Sequence, residues 1–100
     1  MPRAAVLGSP IKHSLSPVLH NAGYEAAGLA GWDYTRCETS AEGLPELVAA
    51  SDSEFVGFSV TMPGKFAALR FADNVSDRAQ LIGSANTLVR RADGWYADNT

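Results

Sequence analysis

FVGFSVTMPGK, residues 55–65, decides how this chain folds. Phe55 to Val60 is β-branched or aromatic at most positions, with only Gly57 and Ser59 small, which is the composition of a buried strand. Pro63 fixes φ and removes a backbone donor, and Gly64 admits any φ, so the strand stops at Thr61-Met62-Pro63-Gly64 and the chain turns. Beyond it, Phe66, Leu69 and Phe71 space apolar residues as a short helix does. A buried strand therefore delivers Thr61 and Lys65 to its carboxyl edge, where open α/β sheets place their ligands.

The flanking sequence supplies the partners of that strand. Ala4 to Leu7 is a short apolar strand broken by Gly8, Ser9 and Pro10. Ser16 as N-cap and Pro17 at the first helical position start a helix through Ala27, with Leu19, Ala22 and Ala26 on its apolar face and Gly28 as a left-handed cap. Trp32 to Cys37 reads as a second strand. Leu44 to Ala50 reads as a second helix with Leu44, Leu47 and Val48 inward. Asp73 to Leu81 is expected to be helical, with Val75, Ala79 and Ile82 on one side. Ala85 to Arg91 and Trp95 to Ala97 then flank Asp93-Gly94, a hairpin signal. The prediction is one α/β layered domain over residues 1–100: a mostly parallel sheet, helices on both faces and a C-terminal antiparallel hairpin.

Composition narrows the function classes. At 46% hydrophobic residues over 100 positions the chain is expected to bury one core, and a net charge of -3 argues against nucleic acid or an anionic membrane as partner. Cys37 is the single cysteine, which suits a reducing cytoplasm, and it reads as an inert core thiol. No apolar run approaches the ~18 residues that span a membrane. His13 and His20 stand seven apart without a third ligand at metal spacing, so no metal is expected. No G-x-G-x-x-G follows any strand, since Pro10 and Lys12 take positions where glycine lets backbone approach pyrophosphate.

Three groups carry candidate chemistry, each beside a plainer role. Ser14 and Ser16, at i and i+2, place two hydroxyls on one side of an extended loop, roughly 6–7 Å apart, beside a helix N-terminus. That suits a carboxylate; equally, Ser16 caps the helix and Ser14 is a solvated loop residue. Lys65 is one of only two lysines against six arginines and stands at a strand-to-turn edge. It suits acid–base work that an arginine does not perform, or it is a surface lysine beginning a helix. Asn86 opens an otherwise apolar strand, where it either holds a polyol or caps a turn. Asp98-Asn99-Thr100 is a polar cluster of the kind hairpin ends often carry.

GSPIKHSLSP at 8–17, His20-Asn21, SVTMPGK at 59–65, IGSANTLV at 82–89 and DNT at 98–100 stand in one order. Together they resemble the N-terminal, substrate-binding domain of shikimate dehydrogenase, of an actinobacterial type, over essentially the whole chain. The resemblance implies reduction of 3-dehydroshikimate to shikimate with NADPH, the cofactor being held by a following Rossmann domain that this chain does not contain. Ser14 and Ser16 then match the serine pair that binds the substrate carboxylate. Thr61, Lys65 and Asn86 match residues on the ring hydroxyls, with Lys65 the catalytic lysine. Thr100 matches the substrate-binding threonine just before the family's catalytic aspartate. Gly64 stands where many members carry histidine, and Ser84-Ala85 where Ala-Val is commoner. The 100 residues are expected to be a substrate half cut at a domain boundary, inactive alone, with weak shikimate binding. Alternatives are a stand-alone module for shikimate or quinate, or a dimerisation domain, since the family often pairs through this half.

Overall fold

The structure is a computed structural model, and it describes residues 2–9, 11, 20–22, 27–28 and 31–99. Ser14, Ser16 and Thr100, together with His13 and the Ser16-Pro17 helix start, lie outside the described residues. The elements in chain order are β1 (Arg3–Gly8), β2 (Asp33–Glu38), α1 (Leu44–Ala50), β3 (Phe55–Val60), α2 (Lys65–Phe71), β4 (Asn74–Val75), α3 (Asp77–Ile82), β5 (Thr87–Arg91) and β6 (Gly94–Asp98). Residues 20–22 are helical as well, and Gly28 takes the expected left-handed φ of 74°.

The described strands form one sheet in the order β2-β1-β3-β5-β6-β4. β1 runs parallel to both β2 and β3, β5 and β6 form the antiparallel hairpin, and β3 meets that hairpin through an antiparallel pairing with β5. The apolar run of β3 follows from this position between β1 and β5. Arg90 fastens its start, donating to the carbonyls of Phe55 at 2.8 Å and Asp52 at 3.1 Å while its guanidinium lies 4.5 Å over the Trp95 ring.

Alternation along β1 separates the two faces of the sheet. Ala5 and Leu7 join Phe58, Val60, Leu88, Trp95 and Ala97 in the main core, which Leu44 and Val48 of α1 and Ala67 and Ala68 of α2 cover. Val6 points the other way, to a smaller cluster with Tyr34 and Ile11. On that second face the helical residues 20–22 are tied to β2: the Asn21 amide donates to the Tyr34 carbonyl and accepts from the Tyr34 N–H, both at 2.9 Å. His20 stacks on the Tyr34 ring, centroids 4.2 Å apart. Helical residues thus flank the sheet on both faces.

One element differs from its sequence expectation. Asp73 to Leu81 is not a continuous helix, because Asn74 and Val75 form β4 against Tyr96 and Ala97 of β6. The helix begins only after Ser76, whose Oγ accepts from the Ala79 N–H at 3.1 Å. Backbone bonds from Asp73 to Trp95 and from Ser76 to Ala97, both 2.9 Å, hold the segment extended, so sheet pairing outweighs helical propensity there. Ile82, expected to share one side with Val75 and Ala79, is 60% exposed, whereas Ala79 alone in α3 is buried.

Candidate functional site

The turn after β3 is built to hold side chains at the sheet edge. The Thr61 N–H donates to the Leu7 carbonyl at 2.8 Å, extending the β1–β3 ladder by one bond. The Met62 carbonyl accepts from the Ser9 N–H at 3.1 Å, and the Met62–Pro63 bond is cis. Gly64 is buried where a Cβ would come within 2.8 Å of Leu44 Cδ1 and 3.1 Å of Val60 Cγ1. Its lack of a side chain lets the turn sit on the core and sends α2 back over the sheet.

Lys65 is the first residue of α2 and is half-buried. The positive end of a helix dipole favours anions, and no acidic residue occupies this first turn, so the helix itself gains nothing from a cation here. The Lys65 carbonyl accepts from the Ala85 N–H at 3.0 Å, which brings the segment before β5 alongside the turn. Next to it the backbone of Asn86 is fixed on both sides: its N–H donates to the Asp98 carbonyl at 3.0 Å, and its carbonyl accepts from the Val60 N–H at 2.8 Å.

These constraints create an open cleft of about 370 Å³ lined by Val6, His20, Ser59, Val60, Thr61, Lys65, Asn86 and Thr87. Three residues singled out in the sequence, Thr61, Lys65 and Asn86, come from separate stretches and meet there. The volume falls at the lower end of small-molecule sites, enough for one ring-sized ligand. Its lining holds an ammonium, an amide, three hydroxyls and an imidazole, a set matched to a ligand rich in oxygen.

His20, Ser59 and Thr87 were not singled out in the sequence. Ser59 was legible in principle, because residues two apart on a strand share a face and Thr61 was already a candidate. His20 is held beside β2 by its stacking on Tyr34 and by the Asn21 clamp, for neither of which a local signal exists. Thr87 differs from any strand threonine only in what its hydroxyl touches.

The polar residues after the hairpin do structural work. Both oxygens of Asp98 are engaged by Arg78, through Nε at 2.7 Å and Nη2 at 2.6 Å, and Oδ1 also accepts from Ser76 Oγ at 2.6 Å. Hydrogen bonds from Arg78 and then Ser76 hold the Asp98 carboxyl well below the usual carboxylate range, and the same pairing raises Arg78. Asn99 Nδ2 donates to the Ser84 carbonyl at 3.0 Å. This clasp fixes the end of β6, whose Asp98 carbonyl in turn receives the Asn86 N–H.

Comparison with known proteins agrees with this geometry. The shikimate dehydrogenase substrate binding domain family matches residues 6–88. An NADP(+)-type shikimate dehydrogenase of Cereibacter sphaeroides is 47% identical over 102 residues, covering 100% of this chain and 36% of the relative. The solved structure of Mycobacterium tuberculosis shikimate dehydrogenase superposes with a TM-score of 0.97 at 61% identity, over 99% of this chain and 38% of that one. That of the Thermus thermophilus enzyme in complex with shikimate gives 0.92 at 38% identity, over 99% and 38%. The chain thus spans little more than a third of the length of the relatives it matches.

Proposed function

The chain belongs to the shikimate dehydrogenase substrate-binding domain family, and we propose that it forms the substrate half of an enzyme reducing 3-dehydroshikimate to shikimate with NADPH. The observation that carries this reading is the single cleft that collects Thr61, Lys65 and Asn86. A solved relative, 38% identical, is a complex with shikimate.

The chemistry follows from the groups in the cleft. Thr61 and Asn86 hold ring hydroxyls of the substrate and fix its orientation. The Lys65 ammonium donates to the carbonyl oxygen at the reacting carbon, and negative charge developing there as the carbonyl is reduced is met by a cation already in place. Ser14 and Ser16 take the substrate carboxylate, and Thr100 contacts the substrate; these three roles rest on the match of motifs.

At the end of β1 a Cβ on buried Gly8 would collide with the Thr61 side chain and stand 3.0 Å from the Met62 carbonyl, so β1 and the turn after β3 are in close contact there. This chain's part in the proposed reaction is to bind, orient and protonate, with NADP(H) held elsewhere in the enzyme. No described helix is long and apolar enough to cross a membrane. A cytoplasmic enzyme that pairs as a homodimer through this half completes the family reading, and sedimentation of the chain tests the pairing.

Calorimetric titration with shikimate, with quinate in parallel, tests the site. Saturable binding by the chain, weakened about tenfold or more in Lys65→Met and in Asn86→Ala, is the expected result. Equal binding by all three proteins, or no saturation at millimolar shikimate, overturns the assignment. Tighter binding of quinate would reassign the substrate within the same site.

A further inference from the structure

We infer that Gly8 is a positioning residue: its missing side chain leaves a seat for the Thr61 methyl, and that seat sets where the Thr61 hydroxyl stands in the cleft. The inference deepens the substrate reading above and takes its test ligand from it. In the parallel β1–β3 ladder Val6 pairs with Ser59 and Leu7 with Val60. The bond from the Thr61 N–H to the Leu7 carbonyl, 2.8 Å, carries the ladder one residue further and sets Gly8 beside Thr61. Both stand on the face of the sheet that holds the cleft, since Val6 and Ser59, two residues earlier on each strand, line it.

Adjacent strands lie about 4.8 Å apart, which ordinarily leaves room for a Cβ on each. Here a Cβ on Gly8 would collide with Thr61 Cγ2, and it would stand 3.0 Å from the Met62 carbonyl oxygen and 3.4 Å from Ile11 Cδ1. The Thr61 methyl thus leans across into the space that a side chain at position 8 would fill. One torsion, χ1, places both branches of a threonine, and branching at Cβ makes it stiff. In any other rotamer the methyl leaves this seat and its packing is lost. Seating the methyl therefore places the hydroxyl as well, at one position beside the cleft that Thr61 lines. Serine, with no methyl to seat, spreads its hydroxyl over the three staggered positions.

Three-bond couplings to the Thr61 methyl carbon, measured by NMR on the ligand-free chain, give χ1 in the parent and in Gly8→Ala. Calorimetric shikimate titrations follow for both, and for the same pair in a Thr61→Ser background. The parent shows one χ1 state, with the methyl in contact with the Gly8 α-protons. Gly8→Ala moves χ1 to another state and lowers shikimate affinity about three- to tenfold. In the Thr61→Ser background the collision is gone, so adding Gly8→Ala costs less than about twofold and leaves the melting temperature near that of Thr61→Ser alone. An averaged χ1 in the parent, a χ1 unchanged by Gly8→Ala, or an equal loss of affinity in both backgrounds overturns the inference. If Gly8→Ala does not fold, recovery of the fold by Thr61→Ser upholds the seat and its failure overturns it. The expected χ1 change with no shikimate binding by any of the proteins upholds the seat and discards shikimate as the ligand.

Discussion

Phe58 and Ser59 are neighbours on β3, yet they line cavities of opposite character. Phe58 faces the main core and, with Cys37, Leu47, Ala50, Ser51 and Phe55, walls an apolar cavity of about 290 Å³. Ser59 faces the other side and borders the polar cleft of about 370 Å³. What separates them is what their walls offer. The apolar cavity is walled by side chains of β2, α1 and β3 with Ser51 just after α1, and most of these side chains are there to pack. The cleft draws its functional groups from element ends: the turn residue Thr61, the first residue of α2 and the bend before β5. Backbone groups at those ends are tied to neighbouring strands, so the side chains are held without being buried. The sheet supplies stability on one face and directed hydrogen bonds on the other.

Substitution on the core face is expected to have the largest effect. Phe58 is 3% exposed and packs against Phe55 and Trp95, with ring centroids 5.2 and 5.7 Å away. Phe58→Ala should cost about 3–5 kcal/mol in a denaturant titration, enough to threaten folding of a domain this small. Lys65→Met, on the other face, should leave the unfolding midpoint nearly unchanged while shikimate affinity falls about 10- to 100-fold, the loss of a charged hydrogen bond. A Lys65→Met protein as unstable as Phe58→Ala would dissolve the distinction, because the lysine would then be part of the packing.

The clasp beneath the cleft adds a pH signature. Asp98 has a side chain 15% exposed against 61% for Arg78, and its folded-state pKa is lowered by Arg78 and Ser76. A carboxyl whose pKa is lower in the folded than in the unfolded chain contributes stability above the unfolded value, ~3.9 for aspartate, and loses it as pH falls. Stability of the chain should therefore decline below about pH 4, and Asp98→Asn should flatten that part of the profile while lowering stability at pH 7. Thermal melts from pH 2 to 7 read both changes. An unaltered acid slope in Asp98→Asn would mean that other carboxylates set it.

Much of this was legible in the sequence, and the exceptions share a cause. Phe55–Val60 and Leu44–Ala50 follow from composition and local punctuation, and their observed bounds match the expected ones. Thr61, Lys65 and Asn86 could be marked because each breaks a local pattern: a residue at a forced turn, a rare lysine, a polar residue opening an apolar strand. Asn74-Val75 could not, because its extended form is imposed by β6 twenty residues later. Cys37 was expected in the core, and it packs half-buried against it while also walling the apolar cavity. Nothing in its neighbours announces a cavity, which forms only where β2, the end of α1 and β3 come together.

That cavity allows the smallest and most discriminating test. Ala50, the last residue of α1, is exposed and borders the apolar cavity. Leucine is nearly as good a helix former as alanine, so Ala50→Leu adds apolar volume toward open space at little cost in propensity. Each methylene that leaves water contributes at most ~0.8 kcal/mol, and a side chain at an open rim buries only part of itself. The expected gain is up to about 1 kcal/mol in stability, with shikimate affinity within twofold of the parent. If the added leucine alters shikimate affinity instead, then filling one cavity reshapes the other through β3. The two faces of that strand would then be mechanically coupled rather than independent.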